Sequence, residues 1–159
     1  MRLYMVRHGI AVDGLRGGST RDAERPLTDE GHDEMKSVAR GLHKLNVKPD
    51  LILSSPLIRA KQTAQHIADA FKLEVAITDS LAPAVNPSHL FKSIARHPHA
   101  REIFLVGHEP DMGMLVGTLL FAGPEWQMPF KKAGICRVDI TSLPPDNPGV
   151  LKWYITPKI

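Results

Sequence analysis

Four short apolar runs along the chain are each followed, directly or after a loop, by apolar residues at helical spacing. They lie at Leu3–Val6, Asp50–Ser54, Glu74–Thr78 and Glu102–Val106. Such an alternation is typical of a mostly parallel sheet with helices on both faces. Two later runs, Ile135–Thr141 and Val150–Thr156, flank a Pro-rich turn and predict a hairpin. The sequence therefore predicts an α/β fold, a three-layer α/β/α sandwich whose mostly parallel sheet ends in a C-terminal antiparallel hairpin.

Residues that can cap a helix mark where the predicted helices begin. Thr28 precedes two acidic residues and predicts the start of the first helix. The apolar residues at helical spacing on this helix are Met35, Val38, Leu42 and Leu45. Ser55-Pro56 has the pattern of an N-cap followed by the first helical position, and predicts the second helix. Further helices are predicted from Pro87 and over Asp111–Phe121, and Ile10–Leu27 is predicted to be a loop.

Size and charge limit the classes of function open to the chain. Its 159 residues correspond to about one domain, predicted to span residues 1–159. The formal net charge of +3 suits an anionic ligand but is too small to indicate binding to nucleic acid. The most apolar stretch is well short of the ~20 residues of a membrane helix, so we expect no membrane association. Cys136 is the only cysteine, which fits a reducing, cytoplasmic location.

Cationic or cation-capable residues follow three of the predicted strands. The first strand leads into Arg7 and His8, the second leads into a helix whose first turn carries Arg59, and the fourth leads into His108. Ligands of open α/β sheets bind at the carboxyl ends of the strands, where these side chains would meet. Guanidinium groups match phosphate oxygens in bidentate geometry, so phosphate is the anion that this arrangement favours.

A histidine in such a cluster can also do chemistry. Neighbouring positive charge lowers the pKa of an imidazole and keeps it neutral near pH 7. A neutral histidine can attack phosphorus and form a phosphoenzyme, while the arginines neutralise the oxygens of the phosphoryl group in transit. Since the protein's own cations would stabilise that charge, we expect no metal and no other cofactor.

Four sequence blocks resemble those of a known family. The blocks, in the family's order, are Leu3–Gly9, Arg25–Gly31, Ser54–Ala64 and Val106–Pro110. On these residues the chain resembles the histidine phosphatase superfamily, also called phosphoglycerate mutase-like. The resemblance implies that His8 is the phosphoryl-accepting nucleophile and that Arg7, Arg59 and His108 form the phosphate-binding, catalytic pocket around it.

The short chain is similar to the SixA-type members of that superfamily, the phosphohistidine phosphatases. These enzymes lack the large helical insertion that covers the pocket in longer relatives. Here Ser80–Glu102 separates the third strand from the fourth and has room for one helix at most. An open pocket of this kind is expected to suit a phosphate carried on a protein surface.

The resemblance leaves the proton donor undecided. Larger members of the superfamily use a carboxylate just after the third strand, and this chain has Ser80 where a glutamate is expected. Asp79, one position earlier, is therefore the candidate proton donor. A weak acid would matter less for phosphohistidine, whose P–N bond is labile once the leaving nitrogen is protonated.

The expected function is that of a metal-independent phosphatase with a phosphohistidine intermediate, acting in signal transduction. Its expected substrate is phosphohistidine on a protein, for example a histidine-containing phosphotransfer domain. One alternative is a phosphomonoesterase of the same superfamily that takes a small phosphate ester. Another is a non-catalytic phosphate-binding or docking module. Trp126–Lys132, which is apolar and then basic, could form a docking rim for an acidic partner protein.

Overall fold

The computed structural model describes residues 1–14, 21–121 and 126–157, which form six strands and four α-helices. The strands are β1 (Arg2–Arg7), β2 (Leu51–Ser54), β3 (Val75–Ile77), β4 (Glu102–Gly107), β5 (Ile135–Asp139) and β6 (Val150–Ile155). The helices are α1 (Asp29–Lys44), α2 (Ile58–Phe71), α3 (Pro87–Ala95) and α4 (Asp111–Phe121). Residues 15–20 of the predicted loop Ile10–Leu27 lie outside the described residues.

The six strands form one sheet in the order β3-β2-β4-β1-β5-β6. The four strands from β3 to β1 run parallel, and β5 and β6 continue the sheet as an antiparallel pair. The predicted fold class and the C-terminal hairpin are therefore confirmed. Each predicted strand is present, and its ends differ from the prediction by no more than two residues.

The central strand β1 shows how the helices cover both faces of the sheet. Leu3 and Met5 pack into a cluster with apolar residues of α3 and α4. Tyr4 and Val6, which point to the other face, pack with apolar residues of α1 and α2. All four side chains are buried. A strand buried on both faces is typical of the middle of a parallel sheet, and the result is the predicted three-layer sandwich.

Two details of the helices differ from the sequence-based prediction. Thr28 caps α1 as predicted, because its side chain accepts a hydrogen bond from the Gly31 N–H. Leu45, however, is 41% exposed, since it follows the last residue of α1 and leaves its apolar face. The prediction that Ser55-Pro56 opens the second helix is wrong. α2 begins at Ile58, and no side chain caps it.

The connection from β3 to β4 is short. It contains a 3-10 turn, Asp79–Leu81, and the nine-residue helix α3. Leu81, Leu90 and Ile94 of this connection are buried in the core on one face of the sheet. The connection therefore packs against the sheet with its apolar residues. Within the described part of the chain, no helix has the length and apolar character needed to cross a bilayer.

Backbone pairing continues one residue beyond the ends of β1 and β2, the two neighbours of β4. The His8 N–H donates to the Gly107 carbonyl at 3.0 Å, and the Ser55 N–H donates to the Val106 carbonyl at 3.0 Å. His8, Ser55 and His108 are consequently placed side by side at the carboxyl edge of β1, β2 and β4. This is the edge at which ligands bind in open α/β sheets.

Candidate active site

The four residues predicted to bind phosphate lie together at this edge of the sheet. His8 and His108 have ring centroids 5.2 Å apart, and Arg59 Nε lies 3.2 Å from His8 Nε2. His8, Arg59 and His108 are 8%, 4% and 3% exposed, so the cluster lies at the bottom of the site. Arg7 is half-buried beside them at the end of β1.

The hydrogen bonds of His8 determine where its ring carries a proton. Nδ1 lies 2.8 Å from the Gly9 carbonyl oxygen, which can only accept, so Nδ1 carries the hydrogen. Nε2 faces Arg59 Nε–H, which can only donate. A neutral imidazole in this tautomer has its lone pair on Nε2. The ring therefore presents a nucleophilic nitrogen to the side where the cations are gathered.

The surroundings keep both histidines of the cluster neutral. Burial, followed by the charges of Arg59, Arg7 and Lys132, lowers the pKa of His8 to about 4, although the hydrogen bond to Gly9 opposes the shift. Burial, His8 and Arg59 lower the pKa of His108 to about 3. At pH 7 both rings are uncharged, and an uncharged His8 is the form that can act as a nucleophile.

These low pKa values predict that the protein loses stability in mild acid. In the unfolded chain both histidines take up a proton below about pH 6.5, whereas in the folded chain they do so only near pH 4 and pH 3. The unfolding free energy should therefore fall as pH drops below 6.5, by about 1 kcal/mol per pH unit for each histidine. Urea denaturation at pH 7.5, 6 and 5 measures this slope.

His108→Gln is the variant that tests the origin of that pH dependence. It removes one of the two depressed groups, so its unfolding free energy should depend less steeply on pH than that of the wild type. An equal slope in the two proteins would show that His108 does not titrate as described.

Arg7 has one guanidinium N–H donor that no described residue uses. Arg7 Nη1 donates to the Phe130 carbonyl at 2.6 Å, while the buried Arg7 Nε has no hydrogen-bond partner among the described residues. Phe130 is itself held by Glu109, whose Oε1 accepts from the Phe130 N–H at 3.3 Å. A buried guanidinium N–H beside His8 that no described residue accepts from is a donor available to an oxyanion.

Ser55 belongs to the site, although its sequence pattern indicated a helix cap. Its Oγ accepts from the Leu57 N–H at 3.3 Å and lies 2.7 Å from His108 Nε2. With one lone pair used by Leu57, the hydroxyl can donate to Nε2, and the histidine hydrogen is on Nδ1 in that arrangement. His108 Nδ1 is buried and has no partner within the described ranges, so in that tautomer it is a second donor available to an anion.

Thr63 connects the strand that leads into His8 to the helix that carries Arg59. Its Oγ1 accepts from the Gly9 N–H at 3.0 Å and donates to the Arg59 carbonyl at 2.7 Å. The residue after His8 is thereby fixed relative to α2. Thr63 lies within the Ser54–Ala64 block, but nothing in the sequence singled it out for this contact.

Asp22 is a further site residue that the sequence analysis missed. Arg59 donates to it twice, from Nη1 to the main-chain carbonyl at 2.7 Å and from Nη2 to Oδ2 at 3.1 Å. Arg25 donates from Nε and Nη2 to Oδ1 at 2.9 and 2.6 Å. Hydrogen bonds from Arg25 and Arg59 lower the pKa of the carboxyl, so it is ionised. An aspartate three residues before Arg25 is too common a pattern to indicate this placement.

Among the described residues, Asp79, the candidate proton donor, makes no hydrogen bond to this cluster. It is exposed and lines a cavity with Thr78, His89 and Lys92, whereas the hydrogen bonds of His8 and Arg59 go to other residues. Its role as a proton donor stays a prediction.

The predicted docking segment Trp126–Lys132 is divided between core and surface. Phe130 is buried, as expected for a core residue. Trp126 is 63% exposed and lies 5.4 Å, centroid to centroid, from the exposed ring of Phe121. Lys131 and Lys132 are exposed and, with Arg7, line a cavity of about 430 Å³ beside the histidine cluster.

Comparison with known proteins identifies the family. Residues 3–83 match the family model described as the histidine phosphatase superfamily (branch 1). An uncharacterized protein of Picosynechococcus is 37% identical over 85% of this chain and 82% of its own length. The phosphohistidine phosphatase SixA of Escherichia coli K12 is 27% identical over 99% of this chain and 94% of its own length.

Solved structures agree with the sequence comparison. The structure of the protein histidine phosphatase SixA complexed with tungstate is 25% identical, with a TM-score of 0.84 over 99% of this chain and 97% of that one. The alpha-ribazole phosphatase from Shigella flexneri has the same fold, with a TM-score of 0.75 at 20% identity over 100% of this chain and 98% of that one. The fold, the motif blocks and these matches together show that the chain is a phosphatase of the histidine phosphatase superfamily.

Proposed function

We propose that the chain is a metal-independent phosphatase that removes phosphate from phosphohistidine on a protein through a phosphoenzyme intermediate at His8. The observation that carries the proposal is the His8 tautomer, with its Nδ1 on the Gly9 carbonyl and its Nε2 lone pair among buried cationic donors. We further propose that residues 1–159 form one domain without a large lid insertion, and that it acts in the cytoplasm in signal transduction.

The first chemical step is in-line attack of His8 Nε2 on phosphorus. The bond between phosphorus and the leaving nitrogen breaks as the Nε2–P bond forms, and the electron pair goes to the leaving group. Attack places positive charge on the His8 ring, which the Gly9 carbonyl at Nδ1 stabilises. Arg7 Nε, Arg59 and His108 Nδ1 donate to the phosphoryl oxygens. Water then attacks phosphorus, releases inorganic phosphate and restores His8.

Two features favour a protein-borne phosphate as substrate. The β3–β4 connection holds one 3-10 turn and one short helix, which pack against the sheet and are too short to form a large lid. The similar protein from Escherichia coli is a phosphohistidine phosphatase and matches almost the whole chain. A histidine-containing phosphotransfer domain is a partner whose phosphate would be presented in this way.

A comparison of substrates tests the proposal. Release of phosphate from a phosphorylated histidine-containing carrier protein is measured beside release from a panel of sugar and nucleotide phosphates. We expect kcat/KM to be highest for the phosphoprotein. Faster turnover of one small ester would instead identify the chain as a small-molecule phosphomonoesterase. Phosphate binding without any turnover would identify it as a non-catalytic binding module.

The basic edge of the site predicts a charge-reversal effect. In the double variant Lys131→Glu/Lys132→Glu, kcat/KM for the phosphoprotein should fall about tenfold, because both lysines face the cavity beside Arg7. The loss for phosphoimidazole should be smaller, since that substrate is too small to span the rim. The matched control, Lys48→Glu/Lys72→Glu, reverses two exposed charges that do not line this cavity. Equal losses for the two substrates would contradict a docking role.

A further inference from the structure

Asp22 places a negative charge beside the cationic Arg59 and Arg25 at the active site. Its side chain is 65% exposed, while Arg59, to which it is bound, is almost fully buried beneath it. Its charge is also close enough to His108 to raise that pKa, in opposition to the larger lowering effects. The carboxylate therefore lies above both the arginine and the second histidine, on the solvent side of the cluster.

The hydrogen bonds of Asp22 leave part of the carboxylate open to a substrate. Among the described residues, Oδ1 accepts both contacts from Arg25, whereas Oδ2 accepts one from Arg59. Because a carboxylate oxygen has two lone pairs, Oδ2 can accept one more hydrogen bond from the solvent side. The contacts with Arg25 and Arg59 also fix the orientation of the carboxylate.

A fixed carboxylate at this place repels an anionic leaving group and attracts a cationic one. A phenolate or carboxylate-bearing leaving group becomes more negative in the transition state and is repelled. A phosphorylated imidazole is cationic when the ring nitrogen that does not carry phosphorus is protonated, and its N–H can donate to a carboxylate. Only the second kind of leaving group gains from Asp22.

We propose that Asp22 is a specificity-determining residue that selects substrates with an imidazolium leaving group by accepting a hydrogen bond from its ring N–H at Oδ2. This proposal rests on the proposed function and deepens it. As the Nε2–P bond to His8 forms, the substrate P–N bond breaks and its electron pair returns to the ring. The proton stays on the other ring nitrogen, so the product is neutral imidazole and Asp22 remains ionised throughout.

The test compares two substrates in Asp22→Asn and in a matched control. The substrates are phosphoimidazole and p-nitrophenyl phosphate, and the control Asp33→Asn removes an exposed carboxylate on α1 that also forms an ion pair. In Asp22→Asn, kcat/KM should fall for phosphoimidazole and rise for the phenyl ester, so that their ratio drops about tenfold or more. In Asp33→Asn the ratio should equal that of the wild type.

The pH dependence of activity is a second measurement, and a purely structural role of Asp22 would not change it. Asp22 stabilises the protonated form of the bound substrate. The kcat for phosphoimidazole should therefore decline at a higher pH in the wild type than in Asp22→Asn, by about one pH unit. An unchanged ratio, or an equal rise for both substrates, would overturn the proposal and show that Asp22 only competes with phosphate for Arg59. A wild type that hydrolyses the ester but not phosphoimidazole or the phosphoprotein would overturn the proposed function as well.

Discussion

His8→Ala is expected to lower turnover roughly 10⁴-fold or more and to abolish labelling of the enzyme by phosphate. The reason is that Nε2 of His8 is the one nitrogen that the site holds as a lone pair towards its cationic donors. Alanine removes that nitrogen and leaves Arg59 and Arg7 in place. The variant should therefore still bind inorganic phosphate while forming no covalent intermediate.

The measurement is trapping of radiolabelled phosphate on the protein after a rapid quench in base, where a phosphoramidate survives. The matched control is His99→Ala, which removes an exposed histidine near the start of β4, at the opposite edge of the sheet. His99→Ala should trap label and turn over substrate as the wild type does. Turnover or labelling that survives in His8→Ala would place the nucleophile elsewhere.

Gly31→Ala is expected to destabilise the fold by about 2 kcal/mol or more. A Cβ at Gly31 would lie 2.2 Å from the Ile10 carbonyl oxygen, a backbone atom that already accepts from the Thr28 N–H at 2.9 Å. Either α1 or the segment around Ile10 has to move. Because Ile10 lies two residues after His8, the displacement should also lower activity.

Gly41→Ala is the matched control on the same helix. A Cβ at Gly41 would meet nothing within 4 Å, so alanine should raise the unfolding free energy by about 0.5–1 kcal/mol through its higher helix propensity. Urea denaturation gives the unfolding free energy of both variants, and kcat/KM for phosphoimidazole gives their activity. Together these measurements separate the effect of the steric clash from the effect of helix propensity. Effects of the same sign in the two variants would contradict the close approach of α1 to Ile10.

The part of the site that could be predicted from sequence is the part that regular structure delivers. Arg7, His8 and His108 follow apolar strands directly, and the carboxyl ends of neighbouring parallel strands meet whatever the details of the loops. Arg59 lies in the first turn of α2, the helix that follows β2, and β2 is a neighbour of β4 in the sheet. Their juxtaposition also requires that β2, β4 and β1 are neighbours, an order that the alternation of strands and helices leaves open and that the structure supplies.

The residues that were missed depend on contacts which no local pattern contains. Ser55 precedes a proline and has the pattern of a cap, but its hydroxyl is bound to His108, 53 residues away in sequence. Asp22 reaches Arg59 from an irregular segment, 37 residues away in sequence. Leu45 had the right spacing for a buried residue, yet the helix ended before it. In each case tertiary placement, rather than propensity, decided the outcome.

The position of β1 determines which part of the active site is lost first as the protein unfolds. His8 is joined to the middle strand of the sheet, between β4 and β5, so exposing it requires the cooperative opening of the core. The segment with Asp22 is attached to α2 by the hydrogen bonds from Arg59, and its ends are joined by the Ala11–Leu27 bridge. These contacts can open without the core. With rising urea, discrimination between leaving groups should therefore disappear before the capacity for phosphoryl transfer does.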